Sequence, residues 1–228
     1  MRIGVIADPH SNLAAFEAVL KHMPRVDALI CAGDFVGYGA EPNEVIDLAR
    51  KKNIPAVLGN HDYAAVTRDV TGLNPFAARA ALWTTKELTE KNAEYLRDLP
   101  RELRLTLGGN SIYMVHGSPR RPLMEYIFPG TSNRVLLKLV QEVDADVIVL
   151  GHTHVPMKRM IQGKLLINPG GVGQPRDRDP RASYALLTPG DEPEAKFERV
   201  EYDVDKTAKK IEDAGLPTEL ATRLHFGW

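Results

Sequence analysis

The chain has 228 residues, of which 43% are hydrophobic and 26% are charged, enough to bury a core without disulfides or a structural metal. Its 29 Lys and Arg residues nearly balance its 30 Asp and Glu residues, so no excess positive charge favours long nucleic acids or an anionic membrane. The single cysteine, Cys31, excludes an internal disulfide.

Residues 1 to about 61 follow the pattern strand, helix, strand, helix, strand, which is typical of parallel strands joined by helices. The three strand-like runs are RIGVIA, DALICA and PAVL. Ser11 or Asn12 can cap the first helix, and Pro42 suits the first turn of the second.

The middle of the chain changes character. Residues 62–98 are rich in alanine and lack strand-like runs, which predicts an insertion of two or three helices. The runs RELRLTL and SIYMVH flank Gly108 and Gly109, a strong hairpin signal. A loop rich in Pro and Arg follows over 117–130, then a helix over 131–143, capped by Thr131 or Ser132, and the buried strand DVIVL.

The C-terminal part carries four more strand-like runs, MKRMI, KLLIN, ASYALLT and AKFERVEY. Their spacing predicts an antiparallel second sheet. Residues 204–228 predict two short amphipathic helices interrupted at Gly215 and Pro217. The expected fold class is therefore α/β with mixed sheets.

Five short polar clusters each follow one of the strand-like runs. Ligand sites in open α/β sheets gather at the carboxyl ends of strands, so these clusters can converge on one crevice. Asp, His and Asn side chains bind hard to borderline divalent metals, which predicts a two-metal hydrolase. The chemistry-bearing residues are Asp8, His10, Asp34, Asn60, His61, His116, His152 and His154.

Spacing within the clusters suggests how the ligands are arranged. Asp8 and His10 are two positions apart, as are His152 and His154, and in an extended backbone such pairs point the same way. Two metals about 3.5 to 4 Å apart need a ligand that binds both, and a carboxylate does this readily. Asp34 is the candidate for that bridge.

The order D-x-H, G-D-x-x-G, G-N-H-D, a His after a strand, and G-H-T-H resembles the calcineurin-like metallophosphoesterase superfamily. The segments 33–39 and 168–176 also resemble small prokaryotic phosphoesterases related to diadenosine tetraphosphatases. The resemblance covers roughly residues 1–188. It implies a four-layer αββα sandwich of two mixed β-sheets flanked by helices, with residues 1–228 as a single domain.

The resemblance also implies a role for each site residue. One metal would be held by Asp8, His10, Asp34 and His154, and the other by Asp34, Asn60, His116 and His152. His61 matches the family's catalytic histidine, which is not a ligand, and Asp62 can cap the next helix or orient His61. The implied reaction is in-line attack of a metal-bridging hydroxide on phosphorus, with His61 as general acid and phosphate stabiliser.

Substrate recognition is less clearly marked. Arg176 is a candidate to contact substrate phosphates together with Asn60 and His61, because guanidinium groups fork onto phosphate oxygens. Arg120, Arg121, Arg178 and Arg181 are further candidates, or else solvated charges paired with Asp177 and Asp179. Small phosphodiesters, phosphomonoesters and dinucleoside polyphosphates all stay open as substrates.

The metal and the functional class also have alternatives. Mn²⁺ is favoured, although Fe, Zn, Ni and Co accept the same nitrogen and oxygen ligands. A nuclease, a protein phosphatase or a non-catalytic scaffold resembling the retromer subunit are the other classes. The near-neutral charge argues against long nucleic acid, and the complete ligand set argues against a scaffold.

The sequence also predicts where the protein works. The N-terminal segment is too short and too lightly charged for a signal peptide, and no apolar run approaches the ~18 residues that span a bilayer. We therefore expect a cytoplasmic protein with no membrane partner. The amphipathic tail is compatible with a homo-oligomer.

Overall fold

Nine β-strands and eight α-helices make up the computed structural model, which describes residues 1–228. The strands are β1 (Ile3–Ile6), β2 (Ala28–Cys31), β3 (Glu102–Leu107), β4 (Asn110–Val115), β5 (Val147–Val149), β6 (Met157–Ile161), β7 (Lys164–Asn168), β8 (Ala182–Thr188) and β9 (Glu194–Val200). The helices are α1 (Leu13–His22), α2 (Pro42–Lys51), α3 (Asn60–Thr67), α4 (Pro75–Glu87), α5 (Glu90–Asp98), α6 (Asn133–Gln141), α7 (Val204–Asp213) and α8 (Thr218–Thr222), followed by a short 3₁₀ helix at Arg223–His225.

The strands form two mixed sheets. The first sheet has the order β2-β1-β8-β9, in which β1 runs parallel to β2 and antiparallel to β8. The second has the order β3-β4-β5-β7-β6, in which β4, β5 and β7 are parallel and the hairpins β3–β4 and β6–β7 are antiparallel. The predicted pair of mixed sheets is confirmed.

The predicted grouping of the four C-terminal strands into one antiparallel sheet is wrong. The hairpin β6–β7 extends the second sheet through β5, whereas β8 and β9 join the first sheet through β1. Alternation and turns identify a hairpin locally, but the strand it pairs with depends on distant packing.

The run PAVL is not a strand, contrary to the sequence-based expectation. Its only ladder contact is a parallel bridge between Cys31 and Ala56. Pro55 has no N–H to donate, and the amide of Leu58 donates to the carbonyl of Pro100. The backbone therefore leaves the sheet edge before a ladder can form, and it leads directly into α3.

Alternating side chains along β1 separate two apolar layers. Ile3 and Val5 point between the sheets and pack with Ile112 and Val147, while Ile6 points the other way and packs with Phe16 of α1. Helix α6 covers the outer face of the second sheet with a further apolar cluster. The result is the αββα sandwich that the family resemblance implies.

Local signals place most helix boundaries correctly. Asn12 caps α1 by accepting a hydrogen bond from the amide of Ala15 at 3.1 Å, and Pro42 begins α2. Ser132 precedes α6, although its hydroxyl makes no capping hydrogen bond. The insertion consists of three helices, of which the first begins at Asn60.

The C-terminal tail packs against the insertion. Ala208, Ile211 and Leu224 are buried together with Tyr38 and with Ala80 of α4. None of the helices is long and apolar enough to cross a membrane. The tail thus ends beside the loop that follows β2, close to the polar clusters.

Candidate metal centre

The loops that follow the strands bring the predicted ligands into two buried groups. In the first group, Asp8 and His10 follow β1, and His154 follows β5. The Nε2 atoms of His10 and His154 lie 3.1 Å apart, and Asp8 Oδ1 lies 3.7 Å from His154 Nε2. Nitrogen atoms at this separation fit two ligands of one ion, because metal–nitrogen bonds are about 2.0 to 2.1 Å long.

The second group surrounds His116, which directly follows β4. Its Nε2 lies 3.2 Å from His152 Nδ1, 3.0 Å from Asn60 Oδ1 and 3.2 Å from Asp34 Oδ2. All four side chains are buried. The Nε2 atom of His116 thus has another nitrogen and two oxygens close to it. Ligands that converge on one cation are expected to be arranged in this way.

Asp34 lies between the two groups. Its Oδ2 is 3.6 Å from His10 Nε2 and 3.2 Å from His116 Nε2, and it has no hydrogen-bond partner. Its Oδ1 accepts a hydrogen bond from the amide of His61 at 2.8 Å. Asp8 Oδ2 is also buried without a partner. Unpaired buried carboxylate oxygens are costly, so the residues present fit cations shared between the groups.

Three of the histidines are oriented by backbone carbonyls. The Nδ1 atoms of His10, His116 and His154 lie 2.8, 2.7 and 2.5 Å from the carbonyl oxygens of Val36, Ala32 and Gln174. An Nδ1–H that donates to a carbonyl leaves the lone pair on Nε2, which faces the centre. His152 differs, because its Nδ1 faces His116 and the ring of Tyr126 stacks on it at 3.8 Å.

Burial and charge set the protonation of the cluster. Burial lowers the pKa of His10 and His154 well below the usual value and that of His152 to about 2, so these rings are neutral. For His116 burial is outweighed by Asp34, and the pKa rises to about 9. A protonated histidine must lose its additional proton before it can bind a metal. A bound cation would therefore replace that proton on His116.

The ligand-bearing loops have a left-handed backbone, which the sequence-based argument did not anticipate. The φ angles are 56° at Asp8, 47° at His10, 58° at Asp34, 67° at His152 and 58° at His154. The expectation of extended pairs is therefore wrong, although the members of both pairs still belong to the two ligand groups. Left-handed non-glycine residues are strained, and such strain gathers at functional sites.

Asp62 holds the loop that carries Asp34. Its carboxylate accepts hydrogen bonds from the amides of Asp34, Val36 and Gly59, at 2.9, 3.0 and 3.1 Å. The bond from Gly59 caps α3, as predicted. The other two fix the turn after β2, so Asp62 positions the candidate bridging carboxylate.

His61 lies beside the ligands but belongs to neither group. Its ring centroid is 4.9 Å from that of His10 and 4.3 Å from that of Tyr38. Its Nδ1 is buried without a hydrogen-bond partner. Burial lowers the pKa of His61 to about 4, while Asp34 opposes the shift. This Nδ1 faces Gly37, where an added Cβ would lie 2.5 Å from it.

A sequence profile of the calcineurin-like phosphoesterase superfamily domain matches residues 1–192, over the same segment that carries all of these residues. The chain belongs to this superfamily. It is a metallophosphoesterase, a metal-dependent phosphoric ester hydrolase, and the superfamily's dinuclear metal chemistry agrees with the two ligand groups.

Relatives cover the whole metallophosphoesterase chain, including the tail beyond residue 192. An uncharacterized protein of Methanocaldococcus jannaschii is 37% identical over 99% of this chain and 98% of its own. A metallophosphoesterase from Sphaerobacter thermophilus is 40% identical, with a TM-score of 0.86 over 100% of both chains. A hypothetical protein from Pyrococcus horikoshii is 25% identical, with a TM-score of 0.88 over 100% of this chain and 98% of its own.

Two of the arginines that the sequence offered for substrate binding have carboxylate partners in the metallophosphoesterase. Arg120 Nη2 lies 2.5 Å from Glu125 Oε1, and Arg181 Nη2 lies 2.7 Å from Asp179 Oδ2. Arg178 is exposed. Arg181 thus follows the alternative prediction of a loop charge paired with Asp179, whereas the partner of Arg120 is Glu125, which was not predicted.

Arg176 lies next to the metal ligands. Its Nη2 donates a hydrogen bond to the Tyr38 hydroxyl at 2.7 Å, and its Cζ lies 5.4 Å from the centre of the Tyr38 ring. Its charge also contributes to lowering the pKa of His10, His61 and His154. Among the predicted arginines, Arg176 is the one whose charge acts on these three histidines.

A cavity of about 390 Å³ opens beside Asn60, between the helical insertion and the 117–130 loop. Its wall includes Tyr63, Arg101, Arg121 and Met124. A volume in this range accommodates a small organic group. Of the predicted arginines, Arg121 therefore faces a space that joins the centre.

Gly173 lets two loops approach closely at the centre. A Cβ at this position would overlap the carbonyl oxygen of Pro9, between Asp8 and His10, and the Gly173 amide donates to the Asp8 carbonyl at 2.9 Å. We expect Gly173→Ala to lower the free energy of unfolding by about 1 to 3 kcal/mol and to weaken metal binding. Urea unfolding and metal analysis measure these effects.

Gly190→Ala is the matched control, because a Cβ at Gly190 meets no atom within 4 Å. It should behave as the unmodified protein in both measurements. A Gly173→Ala variant with unchanged stability and metal content would show that the close approach to Pro9 is not needed.

Proposed function

We propose that this metallophosphoesterase hydrolyses small phosphodiesters, phosphomonoesters or both, at a centre of two divalent ions, with Mn²⁺ favoured. The observation that carries the proposal is the position of Asp34. Its unpartnered Oδ2 lies between the Nε2 atoms of His10 and His116. A carboxylate oxygen placed between two buried ligand groups is suited to bridge two ions.

The proposed ligands follow the two groups. Asp34 would be shared, and the other ligands would be Asp8, His10 and His154 for one ion and Asn60, His116 and His152 for the other. The ions would supply an activated water as nucleophile and neutralise charge on the phosphoryl oxygens. The chain's part is to hold the histidines in the tautomer that presents a lone pair, through the three backbone carbonyls described above.

His61 is proposed as the general acid and as a phosphate-binding group. Support comes from the position of its ring, whose centre is 4.9 Å from that of His10 although His61 belongs to neither ligand group. A histidine in this place can donate a hydrogen bond to a phosphoryl oxygen and, when protonated, a proton to the leaving oxygen. Asn60 and Arg176 are proposed as further contacts to the substrate.

Metal removal and replacement test the proposed function. Chelation is expected to abolish hydrolysis of bis(p-nitrophenyl) phosphate, and added Mn²⁺ is expected to restore it, because the nucleophile depends on the ions. Parallel additions of Fe, Zn, Ni and Co rank the metals. Activity that persists at full rate under chelation would contradict the proposal.

Dinucleoside polyphosphates are a second candidate substrate class. The cavity beside Asn60 and the guanidinium of Arg176 beside Tyr38 favour a substrate with both an organic group and additional phosphate. A panel of monoesters, diesters, nucleotides and dinucleoside tetraphosphates distinguishes the classes. A nuclease, a protein phosphatase and a scaffold stay alternatives that rest on the sequence.

We also propose that residues 1–228 form a single domain. Burial of Ile211 and Leu224 of the tail together with Tyr38 supports this organisation. A cytoplasmic location stays a prediction from the sequence, which cell fractionation can check.

A further inference from the structure

Two arginines lie close to the buried ring of Tyr38. Arg176 follows β7, and its Cζ lies 5.4 Å from the ring centre. Arg223 lies in the last turns of the C-terminal tail, and its Cζ lies 5.9 Å from the same ring centre. Only 4% of the Tyr38 surface is exposed, and its hydroxyl accepts a hydrogen bond from Arg176.

Neither guanidinium has a carboxylate partner. Other arginines of the protein, such as Arg120, Arg181 and Arg199, are paired with Asp or Glu. By contrast, Nε of Arg176 and Nη1 of Arg223 are buried without any hydrogen-bond partner. Burial lowers the pKa of Arg223, and the charge of Arg176 lowers it further. Buried cations without a carboxylate partner are costly, and an anion that contacted both guanidiniums would offset this cost.

The arginine pair adjoins the metal centre on the side of His61. The Tyr38 ring centre is 4.3 Å from that of His61 and 4.6 Å from that of His10. An anion held by the two guanidiniums would therefore lie close to, but apart from, a phosphate held by the ions. Guanidinium groups bind phosphate oxygens through paired hydrogen bonds, which suits them to this role.

We propose that Arg176 and Arg223 form a second anion site, which binds another phosphate group of the same substrate. The preferred substrates would then be phosphate esters that carry a second phosphate, rather than simple monoesters or diesters. This inference rests on the proposed function for the position of the scissile phosphate. Arg223 lies beyond residues 1–192, so the C-terminal tail, outside the segment matched to the superfamily, would contribute to substrate specificity.

Binding to the metal-loaded full-length protein tests the site without turnover. Titration calorimetry would compare hydrolysis-resistant phosphonate analogues of thymidine 3′,5′-bisphosphate and thymidine 5′-monophosphate, in which CH₂ replaces the ester oxygen. We expect the unmodified protein to bind the bisphosphate more tightly by about tenfold, and Arg223→Gln to lose this preference. Arg97→Gln is the control, because Arg97 is exposed and paired with Glu90 on α5.

A variant that keeps the packing against Tyr38 distinguishes the effect of losing the Arg223 charge from the effect of a disturbed fold. Arg223→Met retains the apolar stem without the cation, and circular dichroism identifies which variants are folded. A folded Arg223→Gln or Arg223→Met variant that keeps the full preference for the bisphosphate would overturn the second anion site. Loss of the preference in both the folded variants and not in Arg97→Gln supports it.

Hydrolysis rates then test the second anion site and the proposed function separately. The substrates are the p-nitrophenyl ester of thymidine 5′-phosphate and the same ester with a 3′-phosphate, which share one leaving group. The ratio of their kcat/KM values is expected to favour the 3′-phosphorylated ester about tenfold and to approach one in Arg223→Gln. Failure to hydrolyse either ester would contradict the proposed function, while the calorimetric preference would stand independently.

Discussion

Replacing Asp34 by Asn is expected to lower kcat/KM for bis(p-nitrophenyl) phosphate by about a thousandfold or more. The amide keeps an oxygen that can accept the hydrogen bond from His61, but it removes the negative charge that faces both ligand groups. Two ions placed close together repel each other unless an anionic ligand lies between them. Metal content should fall from two ions per chain to one or fewer.

Metal analysis after gel filtration and steady-state kinetics measure these two effects. Asp27→Asn is the matched control, because Asp27 is exposed and its carboxylate also accepts a hydrogen bond from a backbone amide, that of Arg2. An Asp34→Asn variant that holds two ions and turns over at the unmodified rate would refute the bridging role.

Replacing His61 by Ala is expected to lower kcat by roughly 10² to 10⁴-fold while metal content stays at two ions per chain. The ring of His61 belongs to neither ligand group, and only its backbone amide contacts Asp34. The substitution therefore removes the proton donor and leaves the metal ligands in place. The loss should be larger for alkyl esters than for p-nitrophenyl esters, because a poor leaving group needs the proton more.

His22→Ala serves as the control for a histidine outside the centre. His22 is exposed and its Nδ1 lies 3.1 Å from the Tyr184 hydroxyl. This variant should keep full activity. An equal loss in His61→Ala for good and poor leaving groups would argue against proton donation, and a loss of metal would argue that His61 supports the ligands instead.

Local signals in the sequence predicted the individual elements well. Gly108 and Gly109 both adopt positive φ, as a tight hairpin turn between β3 and β4 requires. Asn12 caps α1, and Gly215 with positive φ separates α7 from α8. Each of these features depends on neighbours within a few residues, which is why composition and spacing were sufficient.

Long-range pairing could not be predicted in the same way. The partner of β8 is β1, nearly the whole chain away, and nothing in the alternation of ASYALLT distinguishes β1 from β7 as a neighbour. Similarly, PAVL has the apolar character of a strand, yet Pro55 and the hydrogen bond from Leu58 to Pro100 prevent a ladder. Such outcomes depend on the packing of the complete core.

The sequence predicted which residues form the candidate site more fully than it predicted how they are arranged. Position after a strand was enough to bring Asp8, Asp34 and His116 to one place, because strand ends meet at an edge. The left-handed backbone of Asp8 was not predicted, since it arises from hydrogen bonds with other loops. Arg223, which we propose as a second anion-binding residue, was not a candidate from the sequence, because an arginine in an amphipathic tail resembles any solvated helix charge.

The histidines that meet at 3.1 Å, His10 and His154, come from different sheets and are 144 positions apart in the chain. An ion bound by both would therefore close a very long loop and join the two halves of the sandwich at their open edge. Constraints that close long loops remove the most freedom from the unfolded chain. Metal supply would then affect the stability of the folded protein as well as its activity, since ions that bind only the folded state stabilise it.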